Sequence, residues 1–281
     1  MKLGKPVAPK EHGAWMVLTV SLTAGSFAPP ALHGHTMAGF ILLTLAALGG
    51  FLAFTPLRML ARTPAGADRE RFWGWLLIYG GTALASFVAL TVVMERWGLL
   101  WFLAPAALVT GGYLRAGMAR ATRTLPVEIA GIAGLALCGP AAVYVQQGRF
   151  TAQALILYLL FTLWFVDRML TARRTLEAMR SGAPLAALGE RVAYFAPELA
   201  VHGAALLLAA GIVLGSGGAA PLAALAPPLA ATLRNARDMA AGRWTDDPMK
   251  VGFAEMRLGI IYAALTILAW RLGEALALFI S

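Results

Sequence analysis

An all-α polytopic membrane protein, nine transmembrane helices with the N-terminus in the cytoplasm, is the fold this sequence describes. Three features carry that reading. The 281 residues are 59% hydrophobic and 13% charged, with a mean hydropathy of +0.72, where soluble domains run near 45–50% apolar and about 25% charged. The apolar residues gather into stretches close to the roughly 20 residues that cross hydrocarbon as a helix. No strand-like alternation of the kind a membrane barrel needs is present.

The first stretch, Ala14–Leu32, follows Lys2, Lys5 and Lys10. It is longer than the 7–15 residues of a signal-peptide core, so an uncleaved helix is expected. Thr36–Pro56, Phe72–Met94 and Gly98–Leu114 follow, and Leu125–Val145 carries Gly131, Gly134 and Gly139, small residues that permit close helix packing. Thr151–Leu170 closes on Asp167 and Arg168, and Val192–Leu214 contains Glu198 and His202. Ala219–Leu233 is short and broken by Pro227-Pro228, which a membrane helix tolerates where protein or water satisfies the freed carbonyls. Leu258–Phe279 is the ninth. The whole chain, 1–281, reads as one transmembrane domain.

Charge sets the orientation, because Lys and Arg concentrate in cytoplasmic loops. With the N-terminus inside, all of the 23 Lys and Arg residues except Arg96, Arg149 and Arg271 lie on the inner side. The net charge of +9 then follows from topology, and no nucleic-acid partner is implied. Outer connections are short (Ala28–His35, Glu95–Gly98, Gln146–Arg149, Gly215–Gly218). Inner ones are expected to be long, above all Arg168–Arg191 and Arg234–Arg257. Elaborated loops tend to carry function, so a site on the cytoplasmic face is expected.

Ionisable residues at membrane depth are functional candidates by default. They are Glu11 and His12 opening helix 1, Glu128 one turn into helix 5, Asp167 and Arg168 closing helix 6, Glu198 and His202 in helix 7, and Glu255 opening helix 9. Glu198 and His202 stand four apart and share a face; they fit an interhelical hydrogen bond as well as a ligand role. Glu128 fits pairing with a nearby Arg. Arg58 and Arg62 can snorkel to the headgroups. Glu11 complements a helix N-terminus, which leaves His12 unexplained. Lone Cys138 excludes an internal disulfide and a Cys-based metal site. There is no P-loop and no HExxH, and GGYLRAG lacks the preceding strand of a dinucleotide fingerprint.

The stretch Pro9–Trp15, PKEHGAW, resembles the hallmark of the YwiC-like family of bacterial membrane proteins, and Lys250–Glu255, KVGFAE, resembles that family's second recurring pattern. The resemblance implies the bacterial cytoplasmic (inner) membrane. More distantly, the helix count, the inside N-terminus, long inner loops after helices 2 and 6 and Arg123-Thr124 before a Gly-rich helix resemble UbiA-like membrane prenyltransferases. Those enzymes hold magnesium on Asp-rich motifs. This chain departs from them: FTPLRMLAR (Phe54–Arg62) has no carboxylate before Asp68, and DRMLTARR (Asp167–Arg174) has one. ARDMAAGRWTDD (Ala236–Asp247) precedes helix 9 rather than helix 7.

Magnesium needs several oxygen ligands, so no magnesium and no other cofactor is expected. Arginine still recognises phosphate. The resemblance therefore implies a basic, cytoplasm-facing cavity that takes an anionic, phosphorylated or isoprenoid molecule or a membrane lipid. Its contacts are expected from Lys10, Arg58, Arg62, Glu128, Asp167, Arg168, Glu198, His202, Arg234 and Glu255, with Glu11 and His12 as the catalytic pair of a metal-independent transferase. A small-anion transporter and a non-enzymatic or haem-binding accessory membrane protein are the alternatives.

Overall fold

A computed structural model describes residues 3–9, 12–28, 36–64, 66–119, 121, 123–181, 187–216, 221–242 and 248–280. Among them every regular element is a helix: α1 (His12–Phe27), α2 (Thr36–Arg62), α3 (Ala67–Val88), α4 (Leu100–Met118), α5 (Leu125–Ala136), α6 (Cys138–Gln147), α7 (Ala152–Ser181), α8 (Leu188–Leu214), α9 (Ala226–Ala240) and α10 (Pro248–Ile280). Where they are described, all nine apolar stretches of the sequence carry helix. The fifth is split into α5 and α6 at Leu137, because Pro140 has no N–H for the Ala136 carbonyl.

Among the described residues, seven spans are long and apolar enough to cross a membrane, which makes this a multi-pass membrane protein. Many large apolar side chains, such as Trp101, Leu108 and Leu207, point outward from these helices, as lipid as solvent requires. α1 and α9 are shorter, so length alone gives fewer than nine crossings.

Several helix ends differ from the sequence reading. Pro56 does not end α2, which continues to Arg62. The long inner loops are mostly helix: α7 runs on to Ser181, and α10 begins at Pro248 rather than Leu258. The sequence there, LTARRTLEAMR, is rich in Ala, Leu, Arg, Glu and Met, the best helix formers.

The chain forms two compact units, one of residues 1–26 and 30–154, the other of 27–29 and 155–281. The first holds α1 to α6. Its core includes Leu22, Leu43, Leu90, Leu99 and Tyr144. Gly25 of α1 lies so close to Gly139 of α6 that a Cβ on Gly25 would overlap the Gly139 carbonyl. A π-turn over Ala89–Val93 ends the third span. The turn beyond it is fixed by the Gly98 N–H donating to Tyr144 Oη at 2.8 Å, and by Arg96 Nε donating to the Val145 carbonyl at 2.9 Å. The N-terminal segment is tied to α3: Arg71 Nη2 donates to the Lys5 carbonyl at 2.7 Å, and Trp75 Nε1 to the Leu3 carbonyl at 2.9 Å.

The second unit holds α8 to α10 and nearly all of α7. Trp164 of α7 stacks on Tyr262 of α10 at 4.2 Å between ring centroids, and Phe161 meets the same ring edge-on. Glu190 accepts the Ala187 N–H at 3.2 Å to start α8. A 3-10 turn, Leu222–Leu225, leads into α9, whose Pro lies in its first turn, where no intrahelical N–H is needed.

Candidate functional site in the C-terminal unit

The second unit gathers a polar cluster inside apolar helices. α7 supplies Asp167, Arg168 and Thr171, all buried. Asp167 and Thr171 are four apart and share a face, held by Thr171 Oγ1 donating to the Asp167 carbonyl at 3.0 Å. α8 supplies Glu198 and His202 in the same spacing, and His202 is only 1% exposed. α9 brings Asn235, and α10 brings Glu255.

Asp167 joins two partners. Its Oδ1 meets His202 Nδ1, and its Oδ2 accepts from Arg168 Nη2 at 2.9 Å and Nε at 3.3 Å. The Asn235 amide sits with its oxygen toward the cluster, since a nitrogen there would face only donors. Oδ1 then accepts from Arg168 Nη2 at 2.7 Å and from His202 Nε2 at 2.9 Å. His202 Nε2 also lies 3.2 Å from Glu198 Oε1. Both ring nitrogens of His202 therefore face acceptors.

Arg168 is fully engaged. Beyond Asp167 and Asn235 it donates to Thr171 Oγ1 at 3.1 Å, lies 3.7 Å from Glu255 Oε1 and packs over the Trp164 ring at 5.5 Å. A buried guanidinium so matched is costly to redirect toward a ligand.

Among the described residues, two oxygens in the cluster have no partner. Glu198 Oε2 and Glu255 Oε2 are buried and accept nothing. The Glu198 side chain is 9% exposed. Buried polar atoms are nearly always hydrogen-bonded, so these two oxygens mark where a donor belongs. Both residues line a pocket of about 150 Å³ that also meets Thr175, Arg234, Asp238 and Lys250. The pocket lies at the end of the unit where α7 and α9 finish and α8 and α10 begin. Toward the other end, an apolar space of only about 20 Å³ lies against His202, Trp164, Leu206 and Tyr262, the room of about one water.

Of the residues singled out in the sequence, the structure thus brings Asp167, Arg168, Glu198, His202 and Glu255 into one network. Arg234 stands at the pocket, paired with Asp238 at 3.5 Å. Arg58, Arg62 and Glu128 belong to the first unit. The Arg58 guanidinium lies 5.8 Å from the Phe54 ring, Arg62 is exposed at the end of α2, and Glu128 stands half-buried in the first turn of α5, where a carboxylate complements the helix dipole. Lys10, Glu11 and the His12 side chain lie outside the described residues.

Asn235, Thr171 and Lys250 are contributors that charge-based reading of the helices passes over. Among the described residues, no three His, Cys, Asp or Glu side chains are placed to hold a metal ion.

No curated protein and no solved structure matches the chain. A family model does: over residues 8–143, which contain PKEHGAW but not the pocket, the chain matches the YwiC-like protein family.

Proposed function

We propose that the C-terminal unit is a binding site for a small polar molecule, entered from the cytoplasmic side of the membrane. One observation carries this reading: Glu198 Oε2, buried among apolar helices without a partner, at the wall of a pocket large enough for about five waters at ~30 Å³ each. An intramembrane carboxylate is expensive to keep, and one aimed into a cavity is placed for a ligand. His202 acts as a positioning residue. Held by Asp167, it directs an N–H at Glu198 Oε1 and so fixes the other oxygen toward the pocket.

The side of entry follows from charge. Arg173, Arg174, Arg180, Arg191, Arg237 and Lys250 surround this end of the unit, and basic residues mark the cytoplasmic face.

An anionic, phosphorylated ligand finds its cations at the mouth, in Arg234 and Lys250, and not in Arg168, whose donors are committed. A UbiA-like transfer of an isoprenoid would need the same two residues as its metal-free anion contacts. The apolar space beyond His202 is too small for a prenyl chain, so a tail would have to lie on the lipid-facing surface. The geometry favours a compact polar molecule.

The reading is tested by extracting the protein with its native lipids and identifying co-purified small molecules by mass spectrometry. We expect a small polar species with the wild-type protein that is lost from Glu198→Gln at unchanged melting temperature. The same species bound equally to both proteins, or none bound to either, would sink the proposal.

A further inference from the structure

The pocket has two ends of opposite sign. Its floor carries Glu198 and Glu255, each with a buried, unpartnered oxygen. Its mouth carries Arg234 and Lys250; Lys250 makes no ion pair among the described residues. Asp238 also stands at the mouth, but Arg234 at 3.5 Å and Arg237 at 3.1 Å both engage it. Lys250 and Glu255 lie on the same helix, about 7.5 Å apart along its axis at 1.5 Å per residue.

Resting on the binding site proposed above, we infer that its ligand is a zwitterion that carries an ammonium group and a phosphate, bound ammonium-first. The nearby cations of the cluster reach one oxygen of each floor carboxylate and leave the other open: Arg168 Nη1 lies 3.7 Å from Glu255 Oε1 and His202 Nε2 3.2 Å from Glu198 Oε1, while Oε2 of both is unpartnered. Arg168 is held by Asp167, Asn235 and Thr171, and His202 by Asp167, Asn235 and one oxygen of Glu198. A simple anion that reaches the floor meets two carboxylates. A simple cation must pass Lys250 and Arg234. A molecule with its ammonium inward gives the two orphan oxygens their donors and leaves its phosphate between the two basic side chains, a group that guanidinium and ammonium both bind. The volume of about 150 Å³ suits something the size of phosphoethanolamine. This chemistry belongs both to a free phosphorylated amine and to an ethanolamine lipid headgroup.

The test uses the full chain in phosphatidylglycerol nanodiscs, with calorimetric titration of phosphoethanolamine, ethanolamine and inorganic phosphate. We expect phosphoethanolamine to bind at least tenfold tighter than either half. Glu255→Gln should weaken phosphoethanolamine about tenfold and leave phosphate unchanged. Lys250→Met, at an exposed position, should weaken phosphoethanolamine and leave ethanolamine unchanged. Repeating the titration in phosphatidylethanolamine discs separates the sources: weakened binding of the soluble probe means the lipid headgroup occupies the pocket, and unaltered binding means a free solute does. Phosphate or ethanolamine bound as tightly as phosphoethanolamine would overturn the zwitterion and leave the pocket standing as a site for a simpler ion. No heat with any of the three at millimolar concentration overturns the zwitterion, and with no co-purified species lost on Glu198→Gln it removes the pocket as well.

Discussion

Asp167 and Glu198 are both buried carboxylates touching His202, yet the structure assigns them opposite tasks. Asp167 is saturated, with His202 on one oxygen and Arg168 on the other. Glu198 has one oxygen on His202 and one with nothing. Asp167→Asn leaves a buried guanidinium without its counter-charge, and breaking a buried pair in this way costs about 3–5 kcal/mol. A large drop in melting temperature in detergent is expected, whatever ligand is added. Glu198→Gln keeps an acceptor for His202 and removes no partner from Oε2, so its cost should stay below about 1 kcal/mol, within the range of single hydrogen bonds between membrane helices. Equal melting temperatures for the two variants would show that Asp167 does not hold the cluster together. The charged members of this network were legible in the sequence because an ionisable residue inside an apolar helix is rare, and because Glu198 and His202 keep helical spacing. Asn235 and Thr171 were not, since uncharged hydrogen-bonding residues are common in membrane helices and carry no such flag. That Arg168 faces inward to carboxylates rather than outward to a ligand depends on where α9 and α10 pack, and no local pattern states that.

At the level of elements, the helices were legible from apolar stretches and their ends were not. α7 and α10 continue well past their apolar runs because the continuation consists of strong helix formers, and hydropathy ends where the bilayer does while a helix need not. The glycines of α1 and α6 make a sharper case. Gly25 and Gly139 touch backbone to backbone, whereas Gly50 of α2 has open space where a Cβ would be. Gly25→Ala forces the two helices apart, and overpacking of this kind costs about 1–3 kcal/mol. Gly50→Ala removes only backbone freedom and should be neutral or stabilising by up to about 1 kcal/mol. Paired thermal melts of the two variants decide it, and a Gly25→Ala protein as stable as Gly50→Ala would mean that α1 and α6 do not meet through these residues. The sequence flagged Gly139 as a packing residue but offered no partner for it.

For the molecule as a whole, the open question is how many times the second unit crosses the bilayer, because α9 has only 15 residues. Its length is misleading. The 3-10 turn Leu222–Leu225 runs directly into it, and 3-10 residues rise about 2.0 Å each against 1.5 Å in an α-helix. Turn and helix together reach about 30 Å, the thickness of the hydrocarbon. The two ends are anchored at opposite extremes of the unit. Pro221 packs near Gly273 toward the end of α10, while the Ala240 carbonyl accepts from Arg191 Nη1, near the start of α8, at 2.8 Å. α9 therefore returns the full length of α8, and the basic residues at Arg180 and Arg237 come to the same side. The prediction is made on a Cys138→Ala background, with single cysteines at Ser216, Arg180 and Arg237 probed by a membrane-impermeant maleimide. Ser216→Cys should label in intact cells, whereas Arg180→Cys and Arg237→Cys should label only after permeabilisation. If Ser216→Cys and Arg237→Cys behave alike, α9 does not cross. The pocket would then lose the helix that carries Arg234 and Asn235, for an α9 lying on the surface could not deliver Asn235 to His202 inside the membrane.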